Sequence, residues 1–320
     1  MMTADELLLA ARALPSGGPE RPWYIGLLLG VAGWFAGLLL LVFLGAVFMP
    51  KSGPGALAFG VVMVAAAFAL FRLDRDGAFV SQLALALSIA GQFALLFGLH
   101  EALFGGASPG IASIAFAGFI LQVAMVLLLP NNLHRVMSTL FACIAWAVFV
   151  RYVFWDKPFL SSGPKITPSL GMALLGWVMA WVPAAGALYL AVRKEPSWMA
   201  AGRAALVRPV ATGLILGLGF ATLLSHPFES FTFWGASADV RQGWLALWPL
   251  LSALASLGAM AAAFALGSRG LLGLCALAAL LHMSHFYYAM GASLLFKSLL
   301  MLAMGAACIA AARALRKRTA

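Results

Sequence analysis

Leu281-His-Met-Ser-His-Phe-Tyr-Tyr-Ala-Met-Gly-Ala-Ser-Leu-Leu-Phe-Lys297 joins two apolar runs, one reaching back to Gly270 and the other forward to Ala312. Each run is close to the roughly 20 residues that a helix needs to cross a hydrocarbon core. Gly291 marks the reversal, so the stretch reads as a membrane hairpin. Its polar groups lie inside the arms: His285 is six residues before Gly291 and Lys297 six after it. At 1.5 Å per helical residue each lies about 9 Å below the turn. Ionisable groups at such depth are costly and read first as functional leads. His282, His285, Tyr288, Ser293 and Lys297 therefore form the candidate intramembrane polar site. Lys297, with Ser293 one turn above it, is expected to be held by a polar partner, with His285 neutral at matched depth. The plainer alternatives are an interfacial belt of histidines and tyrosines and a snorkelling lysine.

The rest of the chain repeats the pattern of this hairpin. Of its 320 residues, 64% are hydrophobic and 9% charged, against about a quarter charged in soluble domains. The fold class is all-α, a polytopic transmembrane helical bundle of about ten spans. Its domains are an amphipathic N-terminal segment (1–22), a transmembrane domain (23–312) and a basic tail (313–320). Thr3-x-x-Glu6 ahead of Leu7 has the form of a capping box. No cleavable signal peptide is expected, because the first apolar run begins only at Trp23. The spans are expected at 23–48, 55–71, 78–99, 109–129, 133–152, 169–192, 209–225, 244–266, 270–288 and 292–312. Span 1 carries Gly26-x-x-x-Gly30 and Gly33-x-x-x-Gly37, and span 7 carries Gly213-x-x-x-Gly217. Such spacing favours close helix approach. Pro183 in span 6 is expected to kink it.

Ten spans place both termini on one side. With that side cytoplasmic, 14 of the 20 Lys and Arg lie inside, as the positive-inside rule requires. Arg151, at the end of the fifth span, is counted on the outer side, and residues 193–208 form the most basic inner loop. The net charge of +10 is assigned to cytoplasmic faces and anionic lipid, with no nucleic-acid partner. The longest polar insert, around His226, Glu229, Asp239 and Arg241, is the candidate extracytoplasmic contact loop.

Ser88 and Gln92 stand four residues apart in span 3, and Gln122 lies in span 4. Gln92 and Gln122 are expected to hydrogen-bond across helix interfaces, each for about 1 kcal/mol. The alternative gives them a place on a polar path with Lys297. Cys143, Cys275 and Cys308 all fall within spans and form no CxxC pair, so they encode neither a disulfide framework nor a zinc ribbon. His282 and His285 share a helix face, yet a metal or haem site needs further ligands. The segment offers no acidic residue, and no metal or other cofactor is expected. P-loop, nucleophile-elbow and HExxH patterns are absent from the sequence, and no catalytic residue is assigned. The carboxylates lie at span ends or in loops, which disfavours a proton-coupled pump.

The segments Arg21-Pro-Trp-Tyr-Ile-Gly-Leu-Leu-Leu-Gly-Val-Ala-Gly-Trp34 and Phe286-Tyr-Tyr-x-x-Gly-x-Ser-Leu-Leu-x-Lys-Ser298, with the closing Ala310-Ala-Ala-Arg313, resemble the bacterial membrane family known as domain of unknown function 4401. That resemblance implies an inner-membrane protein without assigned activity. It also implies a possible partner, a membrane-anchored protein of the GDYXXLXY type. Taken together, the expected function is that of a non-enzymatic component of a cell-envelope membrane complex embedded in the lipid bilayer. A transporter or channel for a small molecule, and a membrane-embedded redox or metal protein, are the alternatives.

Overall fold

The computed structural model describes residues 52–73, 78–104, 111–155, 169–220, 248–289 and 293–299, with further helical positions scattered through 25–43 and at 301–302 and 305–306. Among the described residues every regular element is helical. We label them α1 (Gly53–Leu73), α2 (Ala78–Phe104), α3 (Ile111–Leu128), α4 (Asn132–Trp155), α5 (Leu170–Ala200), α6 (Ala204–Phe220), α7 (Trp248–Ala265) and α8 (Arg269–Ala289). They fall into two compact units, Met1–Gly105 and Gly106–Ala320, each described by itself.

In the first unit α1 and α2 form an antiparallel pair around a seam of small residues. The face that α1 buries is Gly53, Ala56, Gly60, Met63, Ala67 and Phe71, in steps of three and four, as in a heptad. The seam of α2 contains Ala84, Leu87, Gly91 and Gly98, all buried. A Cβ added to Gly60 would lie 2.7 Å from the Gly91 carbonyl oxygen, and one on Gly91 would lie 3.0 Å from that of Gly60. The two backbones are therefore in contact, a packing only glycine permits. The first apolar run docks on α2 in the same way. A Cβ on Gly33 would meet Gln82 Cβ at 2.7 Å and one on Gly37 would meet Ala86 Cβ at 2.5 Å. Gly33-x-x-x-Gly37 is thus the packing face its spacing predicts, while Gly26 and Gly30 lie outside the described residues.

The second unit is built around α6, which touches α4, α5, α7 and α8. Its Gly213 receives Thr139 and its Gly217 receives Cys143, both from α4. Gly213-x-x-x-Gly217 is again a contact face. Ala211, Ile215 and Leu218 of α6 join Ala147, Trp181, Ala259 and Cys275 in one core. Cys143 and Cys275 are buried helix-facing thiols. Turns are short where the sequence supplies caps. Gly267 takes φ 68°, and the N–H of Ser268 reaches back to Ala263 O at 3.1 Å, which closes α7 in a Schellman-like turn. The Ser268 hydroxyl then accepts from Leu271 N at 3.4 Å and opens α8.

Among the described residues six helices are long and apolar enough to cross a membrane, and α6 and most of α7 (Pro249–Ala265) are shorter apolar helices. Outward faces carry large bare side chains such as Leu28, Phe93, Leu127 and Leu280, each about two-thirds exposed or more. Water would penalise such surface at roughly 25 cal/mol per Å², whereas lipid tails cover it without cost. The chain is a multi-pass membrane protein.

Three sequence boundaries move. His100 and Glu101 were expected to close their span, but α2 continues to Phe104 because Glu101 Cβ packs over Gly53 and prolongs the glycine seam. The helix that holds Arg151, which is only 3% exposed, runs on as α4 to Trp155, beyond the expected end at 152. The basic segment from Arg193 is the last two turns of α5, continuing through Pro196 to Ala200. Charged residues at that end of a long helix keep the backbone helical while their heads extend outward. Arg193 Nη1 donates to Tyr189 one turn back, at 3.3 Å. The stop comes at Gly202, with φ 72°.

Candidate functional site

His282 is 1% exposed on α8, and its Nε2 lies 2.9 Å from the carbonyl oxygen of Gly219 on α6. A carbonyl only accepts, so Nε2 carries the proton and donates. The same oxygen lies 3.0 Å from Ser256 Oγ of α7, and that hydroxyl is also 3.0 Å from Ser252 O. One carbonyl thus joins α6, α7 and α8 through two buried side chains. Alanine at 278 on α8 leaves room for this approach, since a Cβ on Gly219 would stand 3.8 Å from Ala278 Cβ.

A second group of donors sits on α4. Proline has no N–H, so in a helix the carbonyl four residues earlier loses its donor. In lipid that carbonyl needs a replacement from protein. Pro209 strips the Ala205 carbonyl, and Arg135 Nη1 donates to it at 2.6 Å. Pro130, just beyond α3, leaves Val126 O without its next N–H, and Arg135 Nε reaches it at 3.2 Å. Pro183 strips Met179 O within α5, and Trp146 Nε1 donates there at 3.0 Å. One helix therefore supplies replacement donors to α3, α5 and α6. Local capping fixes where Arg135 starts: Asn131 Oδ1 accepts from His134 N at 2.9 Å, the arrangement of an N-cap. Buried His134 Nδ1 is 3.2 Å from Ser138 Oγ, and Thr139 Oγ1 donates to Arg135 O at 2.8 Å. All these contacts fasten helix to helix or turn to turn.

The family described as Domain of unknown function (DUF4401) matches residues 22–318. The chain belongs to the DUF4401 family. No curated protein and no solved structure matches it.

Within this DUF4401 chain the residues singled out in sequence have unequal fates. His282 is the anchor just described. His285, one turn on, is half-buried in α8, and Tyr288 lies in the same helix. Ser293 accepts from Phe296 N at 3.4 Å and so caps the short helix that carries Lys297. The Lys297 ammonium lies 4.9 Å from the centre of the Tyr287 ring, within cation–π range. Gln92 donates to Ser88 Oγ at 3.0 Å, which bonds this i,i+4 pair along α2. Gln122 is buried on α3. Residues 226, 229, 239 and 241 lie outside the described residues. Among the described residues no three His, Cys, Asp or Glu side chains converge on a metal-sized site. Arg135, Trp146, Ser252 and Ser256 were not singled out. The signal for the first two was present in the prolines, each of which announces a bare carbonyl four residues upstream.

Proposed function

We propose that the protein is a non-enzymatic structural component of a bacterial inner-membrane complex, with about ten spans and both termini cytoplasmic. The observation that carries this reading is where its side-chain donors go. His282, Ser256, Arg135 and Trp146 all bond to backbone carbonyls of the helix framework, an investment in a fixed frame. On this reading the polar insert around His226 to Arg241 and the final hairpin face the extracytoplasmic side and present the contact surfaces. The partner is a second membrane-anchored protein, of which the GDYXXLXY type is the first to test. The Lys and Arg asymmetry supports the orientation. Affinity capture from native-lipid particles, followed by mass spectrometry, is expected to return one protein in stoichiometric amount. In intact spheroplasts a cysteine at Ser237 should be labelled from outside and one at Ser197 should not. Capture of the chain alone, or with a retained small molecule in place of a protein, would reject the reading.

A further inference from the structure

A groove of about 500 Å³ runs between α5 and α7 over the floor of α6. Its lining is apolar along its length, with Trp181, Leu188, Leu218, Leu254 and Ala262 among the residues on its walls. On α5 the lining extends from Trp177 to Val192, about 22 Å at the helical rise. A single acyl chain has to cover about half of the roughly 30 Å hydrocarbon core, so the groove is long enough for one.

One end of this groove is cationic. Tyr189 and Ala265 line it there. The Tyr189 hydroxyl accepts from Arg193 Nη1 at 3.3 Å, which ties the guanidinium to a wall residue of the groove. Arg269 opens α8 just past the Gly267 turn and is exposed. The nearby carboxylate, Glu195, is occupied by Arg208 at 2.9 Å. Among the described residues neither Arg193 nor Arg269 pairs with a carboxylate, and an apolar trough ending in two arginines has the charge pattern of a phospholipid with an anionic head. We infer that this groove holds one acyl chain of an anionic phospholipid, with its phosphate on Arg193 and Arg269.

Gly258 gives the means to test it. A Cβ built there meets nothing within 4 Å, so a leucine would extend into the groove without a clash and would favour helix by removing glycine. The full chain in a neutral detergent is titrated with phosphatidylglycerol, with phosphatidylcholine of the same chains and with inorganic phosphate, following the unfolding temperature. Phosphatidylglycerol should raise it at the lowest mole fraction, phosphatidylcholine should need more, and phosphate should do nothing. Replacing both Arg193 and Arg269 with alanine should raise the half-saturating phosphatidylglycerol fraction about 25-fold, at roughly fivefold per basic residue. It should leave phosphatidylcholine unchanged. Gly258→Leu should keep the lipid-free unfolding temperature or raise it, and should abolish the shift from both lipids. Arg203→Ala, a control at an exposed turn of the same unit, should change neither. Equal response to both lipids in the native chain, a full shift retained by Gly258→Leu, or an Arg203→Ala loss as large as that of the arginine pair would each overturn the inference.

Discussion

A proline inside an apolar helix creates a debt at one carbonyl, and Arg135 and Trp146 show how a neighbour settles it. Arginine suits the task because its fork carries several donors. Nε and Nη1 reach two helices at once, Val126 O of α3 and Ala205 O of α6. The indole has one N–H and serves one carbonyl, Met179 O. His282 follows the same logic without a proline, donating to Gly219 O beside Ser256. Lys297 differs, since its ammonium lies over the face of Tyr287. We predict that Lys297→Met and Tyr287→Leu each lower stability in detergent by about 1 kcal/mol, the scale of a partly exposed cation–π pair. Tyr287→Phe, which keeps the ring, should be close to neutral. The double variant Lys297→Met/Tyr287→Leu should lose little more than either single one. If instead Lys297→Met is non-additive with His285→Phe and additive with Tyr287→Leu, the lysine is held by the histidine.

At the level of elements, the packing of α1 on α2 depends on glycines seven residues apart in each helix. Gly53 and Gly60 face Gly98 and Gly91. Gly60→Val would push a branched side chain into the Gly91 carbonyl, which is backbone and cannot swing aside. It should destabilise the protein by about 1–3 kcal/mol, the usual cost of overpacking, whereas Gly171→Ala, where a Cβ meets nothing within 4 Å, should be neutral or better. Thermal unfolding of the two variants side by side separates them, and equal melting would remove the seam argument. The helices themselves were legible in the sequence because every apolar run is long and bounded by turn residues. The glycine faces at Gly33–Gly37 and Gly213–Gly217 were legible as well, through their spacing. Boundaries were less so. Charge at Arg193 and Glu101 read as loop, although a helix end carries such groups outward without unwinding. The polar junctions were largely hidden. Ser256 and His282 lie on different helices, and no local pattern says that both address Gly219. Only the proline positions pointed ahead, to the carbonyls that Arg135 and Trp146 fill.

At the scale of the molecule, the second unit is a set of helices joined at backbone carbonyls by side chains from neighbours, with α6 in the middle and Arg135 and Trp146 of α4 among the donors. Such joints are individually modest, averaging about 0.6 kcal/mol within membranes and reaching about 1.7, with bonds to a charged donor at the upper end. Their combined effect is a frame that holds its exposed faces in fixed relation, as the proposed role in a larger assembly would require. The groove between α5 and α7 would then be one of those faces, filled by lipid. Arg135 is needed because Pro209 leaves the Ala205 carbonyl without a donor. Replacing Pro209 with alanine restores an N–H four residues after Ala205 and removes that need. The direct measurement is the unfolding free energy of four full-length chains: native, Arg135→Met, Pro209→Ala and the double variant. We predict that Arg135→Met costs about 1–3 kcal/mol in the native background and clearly less once Pro209 is alanine. The residual cost would reflect the bond to Val126. Equal costs of Arg135→Met in the two backgrounds would contradict the account.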